Sequence, residues 1–158
     1  MLFRSNYNWG YDPEHFNAIE GSYATDANDP ASRIADLKSA IIALHEKGIK
    51  VVLDVVYNHT YRTEHSNFNM LVPHYYHRVT EDGIFSNGSG CGNEFASEKP
   101  MGRKFIIDSL VYWATEFKVD GFRFDLMALI DRKTIETALK TLRAIDPEIL
   151  FYGEPWMG

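Results

Sequence analysis

Apolar positions along this chain alternate between two rhythms, one of helices and one of buried strands. Residues 1–30, rich in Asn, Gly, Pro and Asp, hold neither rhythm and read as loop. Asp29-Pro30 then offers an N-cap and a proline at the first helical position. Ile34, Leu37, Ile41 and Leu44 follow at spacings of three and four, which predicts a helix over 31–47 ending before Gly48. The next run, Ile49-Lys-Val-Val-Leu-Asp-Val-Val56, is β-branched and nearly continuous in apolarity, as in a strand buried on both faces of a parallel sheet.

Residues 57–99 are polar, with four histidines and the glycine-rich Ser86-Asn-Gly-Ser-Gly-Cys-Gly92. A connection of this length inside a compact domain is usually functional. A second helix is predicted over 101–117 from Ile106, Leu110, Trp113 and Phe117, and a third over 132–145 from Ile135, Leu139 and Leu142. Between them lies Val119-Asp-Gly-Phe-Arg-Phe-Asp-Leu-Met127. Read as a strand, it sets Gly121, Arg123 and Asp125 on one side, with Phe122 and Phe124 on the other. Glu148-Ile-Leu-Phe-Tyr-Gly-Glu154 reads as a last short strand. Strands alternating with amphipathic helices indicate βαβ units, an α/β fold with three parallel strands side by side and helices on one face.

Composition narrows the function. At 158 residues, with 45% apolar and 24% charged positions, the chain suits one domain with a true core. A net charge of -6 with dispersed Lys and Arg argues against nucleic acid or an anionic membrane as partner. Aromatics, at 14%, cluster among polar residues in Tyr7-Asn-Trp-Gly-Tyr11 and His74-Tyr-Tyr-His77, which suits a flat neutral ligand as well as core packing. The single Cys91 rules out an intrachain disulfide. Met1-Leu-Phe-Arg lacks the layout of a signal peptide, which leaves localisation open, and no apolar run reaches membrane-spanning length.

Each predicted strand ends in a polar cluster: Asp54-Val-Val-Tyr-Asn-His59, Arg123-Phe-Asp125 and Glu154-Pro-Trp156. In parallel α/β folds that edge is where ligands bind. Neighbouring strands lie about 4.8 Å apart, so Asp125 and Glu154 at equal height fit the separation of about 5–5.5 Å used by retaining glycosidases. Arg123 beside Asp125 favours an ionised nucleophile, whereas Glu154 has no cation near it in sequence and suits a proton donor. His59 suits a hydrogen bond to a sugar hydroxyl, and Tyr11 and Trp156 could offer ring faces to a pyranose. Metal chemistry is disfavoured: His59 with His65, or His74 with His77, sit in a loop, with no His-Glu-x-x-His helix and no cysteine pair. No glycine-rich phosphate loop opens a helix after a strand.

These residues resemble the signature regions of the α-amylase superfamily of glycoside hydrolases. Asp54-Val-Val-Tyr-Asn-His59, Gly121-Phe-Arg-Phe-Asp125 and Tyr152-Gly-Glu-Pro-Trp156 are similar to its first three regions, in order. Tyr7-Asn-Trp-Gly-Tyr-Asp-Pro13 and Ser86-Asn-Gly-Ser-Gly-Cys-Gly-Asn93 resemble segments of the type I pullulanases. The resemblance implies a (β/α)8 TIM barrel of which residues 1–158 supply about strands three to five, a partial catalytic domain. It implies cleavage of α-1,6 branch linkages in pullulan, starch or glycogen. Isoamylases, branching enzymes and amylases are close alternatives. Carried across by position, Asp125 is the nucleophile, Glu154 the general acid/base, and Arg123 orients the nucleophile. His59 contacts the sugar at the cleavage point, Tyr11 stacks beneath it, Trp156 lines the leaving-group side, and Asp54 is a supporting carboxylate. The family's fourth region, with its His-Asp pair, is not among these residues, so the chain reads as a piece of a larger enzyme, inactive alone. The expected ligand is an α-glucan polysaccharide or oligosaccharide. The chemistry requires no cofactor, and the sequence supports neither a calcium site nor a protein partner.

Overall fold

A computed structural model describes residues 9–157. Met1-Leu-Phe-Arg, and Tyr7 and Asn8 of the first aromatic motif, lie outside the described residues. Helix α1 spans Pro30–His45, strand β1 Val52–Val55, and a short helix α2 Asn67–Leu71. Helix α3 spans Pro100–Glu116, β2 Gly121–Phe124, α4 Arg132–Ile145 and β3 Leu150–Gly153. No helix among the described residues is long and apolar enough to cross a membrane.

The three strands form one parallel sheet in the order β1-β2-β3. The register sets Asp54 opposite Arg123 opposite Tyr152, and Val55 opposite Phe124 opposite Gly153. This is the α/β arrangement expected from the alternating rhythms. Phe122 and Phe124 are fully buried on the helix-covered face, with Ile106 and Leu110 of α3 and Leu142 of α4.

Local chemistry starts the helices where the sequence predicts. Asp29 accepts a hydrogen bond from the Ala31 amide at 2.9 Å, capping α1 ahead of Pro30. Asp131 caps α4 by accepting from the Thr134 amide at 2.9 Å. Proline opens α3 after Lys99, which provides no side-chain cap.

Three expectations about burial need correction. The apolar run of β1 is not sealed on both faces. Of its four residues only Val55 is buried, and Asp54 is exposed. Among the described residues β1 has a strand neighbour on one side alone. Likewise α1 buries Ile41, while Ile34 and Leu44 stay exposed. In α4 the buried face is Thr134, Ala138 and Leu142, rotated from the expected Ile135, Leu139 and Leu142. The two small residues let α4 approach α3 closely, leaving Ile135 only partly buried.

The connection over 57–99 is a folded unit rather than an open loop. Two antiparallel bridges, His77 with Phe95 and Val79 with Phe85, turn it back on itself. It buries His77, Asn93, Phe95 and Ala96. Phe68 of α2 meets Phe95 and Phe105 edge-on at 5.2 and 4.9 Å, and Phe16 stacks on Tyr57 at 5.6 Å. Much of the aromatic excess, including Tyr76 and His77, is therefore core.

Candidate active site

The site stands at the carboxyl end of the sheet, one rung beyond the strands. The Asp125 amide donates to the Val55 carbonyl and the Glu154 amide to the Phe124 carbonyl, each at 3.0 Å. The ladder thus continues far enough to place both acids on neighbouring strand ends at the same level. Both side chains are largely shielded, at 15% and 20% exposure.

Arg123 projects on the same face, two positions before Asp125, and reaches three carboxylates. Its Nη1 donates to Asp54 Oδ1 at 2.7 Å and lies 3.4 Å from Asp125 Oδ1, while Nη2 contacts Glu154 Oε1. The hydrogen bond to Asp54, reinforced by the charges of Asp54 and Glu154, raises the Arg123 pKa against the opposing effect of burial. Glu154 is therefore not free of a cation, as its sequence neighbours suggested. The guanidinium comes to it across the sheet, a contact set by strand register. Glu154 Oε2 also accepts from the Leu126 amide at 3.1 Å, and Leu126 holds a left-handed backbone, φ 41°, unusual for a branched side chain.

Tyr11 joins from the N-terminal segment: its hydroxyl donates to Asp54 Oδ2 at 2.7 Å, and that bond raises the phenol pKa. Asp54 thus ties Tyr11 to Arg123.

Asn58, which sequence reasoning passed over, links the remaining pieces. Its Nδ2 donates to both the carbonyl and Oδ2 of Asp125, each at 2.9 Å. Its Oδ1 must then accept, so the His59 Nδ1–H, at 2.5 Å, is the donor and His59 Nε2 carries the lone pair. That nitrogen is buried with no hydrogen-bond partner. Burial pushes the His59 pKa down, although the Tyr11 backbone and the charges of Asp125 and Asp12 act the other way. A neutral ring with a bare acceptor is suited to a ligand hydroxyl. The signal for Asn58 was its place between Tyr57 and His59 in a strand-end polar cluster.

Tyr11, Asp54, Asn58, His59, Arg123, Asp125 and Glu154 thus form one connected network. Trp156, two residues past Glu154 and 55% exposed, takes no part in it. Among the described residues no group of three His, Cys, Asp or Glu is arranged to hold a metal ion.

The chain is similar to known pullulanases in sequence and in structure. The chain is 50% identical over 150 residues to the pullulanase of Bacillus subtilis (strain 168), covering 95% of this chain. The chain matches the pullulanases along nearly its whole length. A crystal structure of pullulanase from Paenibacillus barengoltzii, in complex with maltohexaose and alpha-cyclodextrin, superposes with a TM-score of 0.94 at 52% identity over 96% of this chain. The pullulanase of Anoxybacillus sp. LM18-11 complexed with maltotetraose gives a TM-score of 0.94 at 53% identity, also over 96% of this chain. No family model matches. The pullulanase-like chain spans 21% of the Bacillus subtilis relative's length and 24% of the Paenibacillus barengoltzii chain.

Proposed function

We propose that the protein carrying this chain is a debranching α-glucan hydrolase that cleaves α-1,6 linkages by a retaining double displacement. The observation that carries this reading is the shared rung of Asp125 and Glu154, with Arg123 touching both. Acids on adjacent strands at one level suit the separation of about 5–5.5 Å that a covalent glycosyl intermediate needs. The similarity to the pullulanases selects the branch linkage over the linear one.

In this reading an Asp125 carboxylate oxygen attacks the anomeric carbon and displaces the glycosidic oxygen, which takes a proton from Glu154. Glu154, now ionised, removes a proton from water, which attacks the same carbon and frees Asp125. Two inversions give net retention. Before the first step one Glu154 oxygen must exchange its present partner, Arg123 or the Leu126 amide, for the substrate. Arg123 balances the carboxylates, His59 Nε2 accepts from a sugar hydroxyl, Tyr11 offers its ring beneath that sugar, and Trp156 lines the leaving side. Asp54 supports by holding Tyr11 and Arg123 together. No step calls on a cofactor.

The three parallel strands and their helices fit strands three to five of a (β/α)8 barrel, residues 1–158 being part of its catalytic domain. The His-Asp pair expected of such a barrel is not among these residues, so the site is completed elsewhere in the protein. The test is an assay of the complete protein on pullulan and on linear starch. Maltotriose-type products from pullulan are expected. Activity on linear starch alone would redirect the assignment to an amylase.

A further inference from the structure

His59 and Asn58 sit on an irregular segment just past β1, where no strand neighbour holds the backbone. Beside the bonds of the Asn58 side chain to Asp125 and of the Tyr61 amide to the Pro13 carbonyl, much of what holds it comes from the far end of the 57–99 connection. Asn93, fully buried, accepts from the Thr60 amide through Oδ1 at 2.9 Å and donates to the Thr60 carbonyl through Nδ2 at 2.8 Å. One side-chain amide thus satisfies both backbone groups of the residue next to His59, as a neighbouring strand would. Nearby, the Phe95 amide donates to the Asn58 carbonyl at 2.8 Å. His77, buried against Phe85 and Phe95, reaches the Thr60 hydroxyl at 2.8 Å.

We infer that Asn93 is a positioning residue, acting through Thr60 to set the place of the His59 ring at the sugar-binding face. This rests on the proposed reading of His59 as a substrate contact. Asn93 touches none of the candidate acids. Its two bonds span one peptide-length of backbone, so their loss lets the segment after Asn58 move as a unit. The His59 ring is held by Asn58 Oδ1, by the nearby Tyr11 backbone and by its buried surroundings, and its place follows the backbone of 58–60 that carries it.

The test is a double-mutant cycle in the complete protein, with hydrogen exchange beside it. Asn93→Ala is expected to lower kcat/KM on pullulan by about 100-fold, the scale of a displacement near 1 Å at a reacting centre. In a His59→Ala background the same change should cost little further, because the ring it positions is gone. Exchange in a peptide covering 58–62 should accelerate while α3 and α4 keep their protection. Should the alanine variant fail to fold, Asn93→Asp keeps the volume but sets a carboxyl oxygen against the Thr60 carbonyl in place of the Nδ2 donor, so the paired hold on Thr60 is still broken. Equal losses in both backgrounds, or no loss in the first, overturn the inference. A complete protein inert on pullulan and starch defeats the functional reading instead. Exchange then still decides whether Asn93 holds the segment, and unchanged protection at 58–62 overturns it.

Discussion

Phe124 and Gly153 are register partners in the parallel sheet, and their pairing decides where both candidate acids stand. The next residue on each strand is Asp125 and Glu154, and the Glu154 amide bonds back to the Phe124 carbonyl. The close approach depends on Gly153 lacking a side chain. A Cβ there would lie 2.6 Å from Met127 Sδ and 2.8 Å from the Phe124 carbonyl oxygen.

Gly153→Ala is therefore expected to force β3 away from β2 and to separate the acids. In the complete protein the overpacking should cost about 1–3 kcal/mol of stability, with kcat on pullulan falling more than KM rises. A lowered thermal midpoint with kcat intact would mean that this rung does not govern the chemistry. Gly121 gives the comparison. A Cβ there would meet Leu150 Cβ at 2.5 Å, far down the same strands, so Gly121→Ala should cost stability with a smaller effect on kcat.

Arg123 is a single guanidinium shared by Asp54, Asp125 and Glu154. Its two nitrogens point at different partners, a fork that an ammonium cannot reproduce. Arg123→Lys is expected to reduce kcat/KM on pullulan by about 100-fold through misplaced acids. Arg123→Met, which removes the charge from among three carboxylates, should lose more. Steady-state kinetics of the two variants provide the check, and near-native turnover by the lysine variant would reduce Arg123 to a structural ion pair.

The strand bearing this arginine was legible because period two sorted its charges from its phenylalanines, and the start of α1 because Asp29 is a cap in sequence as in space. The candidate acids were proposed from strand ends, and the register sets both on one rung. What stayed hidden was long-range. Arg123 reaches Glu154 only because the register puts β3 beside it. Asn58 lay in a strand-end polar cluster, but its linking role emerges only when its two hydrogen-bonding ends are seen between Asp125 and His59. The face of α4 was misjudged because Thr134 and Ala138 are buried for their smallness, a reason that hydrophobic periodicity does not record. The apolarity of β1 suggested two covered faces, and among the described residues one side of that strand has no neighbour.

His77 makes the 57–99 unit acid-sensitive. The Thr60 hydroxyl donates to the Arg62 carbonyl at 2.6 Å, so His77 Nε2 carries the proton in the bond between them, and its buried Nδ1 has no partner. Protonating Nδ1 would strand a charged donor, and burial, aided by His74, lowers the pKa to about 4 from 6.5. Between those values the unfolded chain binds a proton that the folded chain refuses. The stabilisation is complete above about pH 6.5 and declines as pH falls towards 4, by up to about 3 kcal/mol. His59, shifted in the same direction, adds to the trend. Hydrogen exchange over residues 74–97 at pH 7 and pH 4.5 should show the unit opening in acid. In His77→Gln that pH dependence should shrink. An unchanged pH dependence would place the sensitivity elsewhere.

The 158 residues expressed alone are expected to be poorly soluble and catalytically inert. Ile34, Ile49 and Leu150 are exposed at 41%, 51% and 40%, and among the described residues β1 and β3 each carry an unpaired edge. Open parallel edges flanked by apolar surface recruit other chains. The fully buried Phe122, Phe124, Ile106 and Leu110 give the fragment a core of its own, so aggregation should start from folded edges rather than from an unfolded chain. Light scattering that rises with concentration, while far-ultraviolet circular dichroism keeps its α/β character, would match this. Turnover of pullulan should be negligible if, as in the proposed reading, the acids need the His-Asp pair that is not among these residues. A monodisperse fragment that hydrolyses pullulan and loses that activity on Asp125→Asn would refute the prediction, because the site would then be complete within these residues.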